Sequence, residues 1–133
     1  MSEELASPPS LEQARTWVGK VVDDAGGANV GTVYGLFVDA ASGAPTWLII
    51  KQGRLNSTLV AAPLRECAAA ASRVWIAQAR ETVRKAPVVD PTRPLLREHE
   101  LTICAHYGVG EGVGRAAEVA DRGQGAVTSR PAA

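Results

Sequence analysis

Residues 30–52, VGTVYGLFVDAASGAPTWLIIKQ, constrain the fold more than any other stretch, because two apolar runs flank the turn-like segment Ala40-Ala41-Ser42-Gly43-Ala44. Val, Ile, Tyr, Phe and Trp fill both arms, and branched or aromatic side chains suit a pleated, half-buried surface. The pattern predicts a β-hairpin. Its second arm, 46–52, alternates Trp47, Ile49 and Lys51 on one face with Leu48, Ile50 and Gln52 on the other. Apolar side chains on both faces predict an inner strand. In the first arm, 30–39, Gly31 and Gly35 interrupt the run, and glycine within a strand marks a bulge, a bend or a close backbone approach. A sheet that curls round on itself needs such bends.

The remaining chain is predicted around this hairpin. The opening MSEELASPP has little to bury and reads as a loose terminus. Ser10 and Gln13 have capping-box spacing and predict a short helix ending before Trp17. A first strand is predicted over 17–22, followed by turn chemistry over 23–29. A fourth strand, 58–62, should stop at Pro63, which cannot donate to a ladder. The segment 64–73 is ambiguous, since its Ala68-Ala69-Ala70-Ala71 run favours helix by propensity yet is too short to nucleate one alone. A fifth strand follows over 74–77, and 80–85 could form one helical turn before Ala86-Pro87. The longest predicted helix covers 95–107, with Leu96, Ile103 and Tyr107 on one stripe and Gly108 as a left-handed C-cap. The Gly- and Ala-rich stretch 109–133 has few large apolar residues and is predicted to be a disordered tail.

With 133 residues the chain suffices for one domain. Lys+Arg and Asp+Glu both number 14, so no net charge draws the whole molecule toward nucleic acid or anionic lipid. Cys67 and Cys104 are the two cysteines, and no signal-peptide pattern opens the chain, which together lead to an expectation of free thiols and a cytoplasmic location. No apolar run approaches the roughly 20 residues that cross a bilayer, so no membrane span is expected.

Candidate chemistry is sparse. His99, Cys104 and His106 invite a zinc site with Cys67, but on a helix the two histidines stand about 10 Å apart along the axis and Cys104 points elsewhere. No G-x-S-x-G elbow is present, and Cys104 and His106 face apart. The glycines of 108–114 lack the register and the Lys-Ser or Lys-Thr of a phosphate cradle. Asp23, Asp24 and Asp39 fall at strand ends and turns, where Asp serves local hydrogen bonding. No catalytic, metal or cofactor-binding residue is therefore assigned. The charges with most promise are Lys51, Arg54, Arg80, Arg84, Lys85, Arg93 and Arg97, which could gather on one rim, although acidic Glu81 and Glu98 interleave with them.

The chain resembles the PRC-barrel family, which includes the cytoplasmic domain of the photosynthetic reaction-centre H subunit and the C-terminal domain of the ribosome-maturation factor. The resemblance rests on Gly19-Lys20-Val21-Val22-Asp23, on Val30-Gly31-Thr32-Val33 with Val38-Asp39, on Trp47-Leu48-Ile49-Ile50-Lys51 and on Val60-Ala61-Ala62-Pro63-Leu64. Ala86-Pro87 and the segment from Glu100 to His106-Tyr107-Gly108 look like the tail of stand-alone bacterial members. It implies a mainly β fold, a small partly open β-barrel with a C-terminal helix, used for protein or RNA contacts and without family-wide catalytic residues. The expected organisation is a flexible N-terminus with a short helix over 1–16, a PRC-barrel-like domain over 17–108 and the tail over 109–133. The expected function is a non-catalytic adaptor, with no cofactor, that binds a protein partner through a strand edge or a rim of Lys51, Arg54, Arg80, Arg84 and Lys85, a second copy of the chain being one candidate. RNA or ribosome association through the same rim is the alternative.

Overall fold

The computed structural model describes residues 9–109, 116–121 and 125–126. Among the described residues three short helices accompany a mainly β structure. Helix α1 is Leu11–Arg15, α2 is Arg80–Arg84 and α3 is Arg97–Tyr107. The strands are β1 (Val21–Asp24), β2 (Asn29–Asp39), β3 (Pro45–Gln52), β4 (Thr58–Pro63), β5 (Ala68–Ala70) and β6 (Arg73–Ile76), with β7 (Ala116–Asp121) and β8 (Gly125–Ala126) following α3. None of the helices among the described residues is long and apolar enough to cross a membrane.

The predicted hairpin is the centre of the sheet. Strands β2 and β3 pair antiparallel from Thr32↔Lys51 to Val38↔Pro45, and β3 continues into β4, so β3 is an inner strand. Its side chains from Trp47 to Ile50 are all fully buried, as apolar residues on both faces require. The pairing slips between Val33 and Gly35, where Tyr34 is the extra residue of a bulge. The turn is closed by Asp39, whose Oδ2 accepts from the Ser42 backbone N–H at 3.2 Å and its hydroxyl at 2.8 Å.

From the hairpin the sheet grows in both directions in the order β4-β3-β2-β1-β6-β5, mixed because β1 and β6 run parallel. The anticipated barrel is corrected here: among the described residues no ladder joins β4 to β5, so the sheet is not closed into a barrel. Two features keep those ends apart. The outer edge of β4 is already met by the segment after α2, through a Val60↔Val88 bridge and a Val89 N–H bond to the Leu59 carbonyl. At the other end β5 offers only three residues.

Other departures from expectation have local causes. The first strand starts at Val21 instead of Trp17, because Gly19 takes a left-handed φ of 94° and Lys20 N–H bonds back to the Trp17 carbonyl, turning the chain. Trp17 is nonetheless buried, entering the core from that turn. The alanine run forms β5 by pairing with β6, tertiary pairing overriding a helical preference too short to act alone. On α3, Ile103 and Tyr107 are buried as expected, but the helix starts after Leu96, which is 56% exposed while Leu95 takes its place in the core. Gly108 does cap the helix with φ 71°. Within the stretch predicted to be a disordered tail, β7 pairs antiparallel with the second half of β2, from Gly35↔Asp121 to Asp39↔Ala116. The rest of that prediction, and that of a loose terminus over residues 1–8, lies outside the described residues.

Helix α3 is fastened to the sheet by two buried polar contacts. The Trp47 indole N–H donates to Glu100 Oε2 at 2.8 Å, and the Tyr107 hydroxyl donates to the Ala61 carbonyl at 2.7 Å. Both satisfy groups that would otherwise be stranded in an apolar interior. The core cluster is continuous from Ala14 of α1 through all the central strands to Tyr107.

Candidate basic groove

Four of the five cations expected on a rim line one open groove of about 900 Å³: Lys51, Arg54, Arg80 and Arg84. Lys51 stands near the end of β3 and Arg54 in the turn that joins it to β4, where Gly53 reverses the chain with φ 92°. Arg80 and Arg84 lie one helical turn apart on α2, so they share a face. Lys85, the next residue, follows about 100° further round and is absent from the groove lining. Arg93 and Arg97 are not among its lining residues either, and Arg93 pairs with Asp90 at 3.3 Å.

What brings α2 to the β3–β4 turn is Asp24, a residue assigned only to a turn by its sequence context. The Ala79 side chain cannot cap α2, and Asp24 Oδ2 does so from across the fold, accepting the Arg80 backbone N–H at 2.9 Å. Its other oxygen accepts from Gly26 N–H at 3.0 Å and Ala28 N–H at 2.8 Å, holding the β1–β2 turn. These bonds, Arg80's first and Ala28's next, outweigh the effect of burial and keep the Asp24 carboxyl below its ordinary range. Beside it Asp23 pairs with Arg73 at 2.6 Å, and Asn29 Nδ2 donates to Asp23 Oδ1 at 3.3 Å. At Gly31, in the groove lining, a Cβ would run into the backbone carbonyl of Lys51, so glycine lets the two strands approach this closely.

The lining is polar and carries one sign of charge. Amides of Asn29, Gln52 and Asn56 and hydroxyls of Thr32 and Thr58 stand among the four cations, with neither a carboxylate nor an aromatic ring among the described lining residues. All four cations are solvent-exposed. Glu81 contacts Arg84 at 3.0 Å, but an exposed pair of this kind contributes at most about 1 kcal/mol and yields readily to a competing anion. Convergent donors whose described counter-charge, Glu81 on Arg84, lies outside the groove lining suit an extended anion.

The thiols and His106 are placed elsewhere. His106 Nε2–H donates to the Thr82 carbonyl at 2.7 Å and its ring meets Tyr107 edge-on, tying α3 to α2. Cys104 is buried, and the half-buried Cys67 donates to the Pro63 carbonyl at 3.5 Å. Burial, reinforced by the charge of Glu66, pushes the Cys67 thiol up to about 12. Among the described residues no three His, Cys, Asp or Glu side chains gather where they could hold a metal ion. The chain matches no protein-family model and no curated protein.

Proposed function

We propose that this chain is a non-catalytic interaction module of the PRC-barrel type, which receives a flexible acidic segment of another protein in the basic groove. The observation that carries the reading is the convergence of Lys51, Arg54, Arg80 and Arg84 on one wall, with no carboxylate among its described lining residues. Such a surface steers an anionic partner and fixes its register more than it adds raw affinity. A protein segment is preferred to RNA because single-stranded RNA is held largely by bases stacked on aromatic side chains, and no ring stands among the described lining residues of this groove. The amides of Gln52 and Asn56 suit a peptide backbone, which offers both donors and acceptors.

RNA association through the same cations is the second reading, favoured by their clustering alone. A labelled twelve-residue peptide of Asp, Glu and Leu and a twelve-nucleotide oligouridylate, each titrated with the full chain at 50, 150 and 300 mM salt, separate the two. The peptide is expected to bind the more tightly at 150 mM. Two exposed charge contacts of up to about 1 kcal/mol each are lost in the Arg54→Ala/Arg80→Ala variant, which should weaken it about tenfold with no change in melting temperature. Tighter binding of the oligonucleotide would favour the second reading, and binding of neither at 50 mM would refute both.

A further inference from the structure

A second hollow, of about 510 Å³, adjoins the groove and shares Thr32 and Lys51 with it. Its walls come from the end of α1, the connection to β1 and the bulged part of β2. Gly19 N–H bonds to the Val33 carbonyl and Val33 N–H to the Lys20 carbonyl, both at 2.9 Å, so this wall is built on backbone pairing. Val18 and the partly buried Tyr34 supply apolar surface, and Arg15 and Lys51 supply charge.

Arg15 is the unusual member. Its guanidinium Nε is covered by the fold and has no hydrogen-bond partner. No acidic side chain among the described residues pairs with it, although Glu12 stands one helical turn earlier. An unmet buried donor costs roughly 1–3 kcal/mol, and more when charged. Most buried polar groups have a partner, so this one calls for an explanation. The planar fork of Arg matches a carboxylate, which it takes through two parallel N–H bonds. Arg15 lines the hollow, and its side chain is only partly buried.

We infer that this hollow is a binding site for a carboxylate carried on a short apolar stem, with Arg15 clasping the carboxylate, Lys51 adding a second positive charge and Val18 and Tyr34 receiving the stem. The same chemistry is offered by a small aliphatic acid and by the C-terminus of a chain ending in an apolar residue. The site is distinct from the groove, since Arg15, Val18 and Val33 have no part in that wall.

Backbone amide shifts of the ¹⁵N-labelled full chain test this directly. Isovalerate is titrated against isovaleramide and inorganic phosphate, and N-acetyl-Gly-Gly-Val with a free carboxylate against its amidated form. Saturable shifts are expected at Gly19, Thr32, Val33 and Tyr34 with the two carboxylates and not with the two amides. Arg15→Gln should lower affinity about tenfold or more, the loss of one charge-assisted contact, while Arg84→Gln in the neighbouring groove leaves it within about twofold. The peptide binding more tightly than isovalerate identifies a chain end as the source, and the reverse order identifies a small acid. Phosphate shifting the same amides as strongly as isovalerate would overturn the role of the apolar stem. Equal shifts from acid and amide would overturn the site altogether. Should Arg15→Gln lose the dispersed spectrum of a folded chain, Arg15→Lys takes its place, and undiminished binding by that variant would overturn the clasp.

Discussion

Replacing Trp47 with Phe tests how α3 is held to the sheet. Trp47 is fully buried and its N–H meets a carboxyl, that of Glu100, which is itself 2% exposed. The smaller ring leaves roughly 40 Å³ unfilled, which removes about 1 kcal/mol through the cavity and a similar amount through lost apolar transfer. Losing a hydrogen bond to a buried carboxyl adds about 1.5–3 kcal/mol. The expected destabilisation is therefore about 3–5 kcal/mol, a large share of the roughly 5–15 kcal/mol that a domain has. Glu100→Leu strands the indole N–H and should cost about 2 kcal/mol on that account. Removing both polar partners strands neither, so the double variant should be more stable than the sum of the single effects implies, by about 1–2 kcal/mol. Urea unfolding followed by far-UV circular dichroism measures all four proteins, and it avoids fluorescence, which the loss of one of three tryptophans would alter. A Trp47→Phe cost below about 1 kcal/mol, or effects that add within about 0.5 kcal/mol, would refute the coupling between β3 and α3.

Asp24 gives a dependence on pH. Its folded carboxyl sits below the ordinary 3.8, chiefly through the Arg80 and Ala28 N–H groups. Above 3.8 its stabilisation is fully present; as the medium is acidified the unfolded chain takes up the proton first, and the contribution is lost as pH falls through the folded value. Urea midpoints from pH 6 to pH 2 should fall less steeply in Asp24→Asn than in the parent, and identical acid limbs would contradict this. Ala71 carries a left-handed φ of 49° in the two-residue turn between β5 and β6, so Ala71→Gly should raise stability by about 0.5–1 kcal/mol in the same assay. Cys67, held at about 12, should react with a disulfide reagent at pH 8 at least about tenfold more slowly in the folded chain than in urea. Equal rates in the two states would count against its burial.

The site was partly legible before the fold was known. Lys51 with Arg54, and Arg80 with Arg84, stand out in the sequence as two local groups, the second at helical spacing. Their meeting across some thirty residues depends on Asp24, whose long-range cap on α2 has no local signature. Lys85 belongs to the same run of charges yet is excluded by one step around the helix, a distinction that only the orientation of α2 decides. Arg15 carried no signal at all, because Glu12 at helical spacing gives it an obvious partner that the fold leaves unused.

Residues 30–52 by themselves determined a hairpin with a doubly buried second arm, since period-two alternation and branched side chains act within a few residues of one another. Gly108 likewise specified the end of α3 locally, through a φ that glycine adopts at little cost. Tertiary structure decided the rest. Whether the alanine run became helix or strand, where the first strand began, and how the sheet ended at β4 and β5 were settled by pairing and burial between distant segments. Those energies exist only once the chain has brought the segments together, and local composition does not encode them.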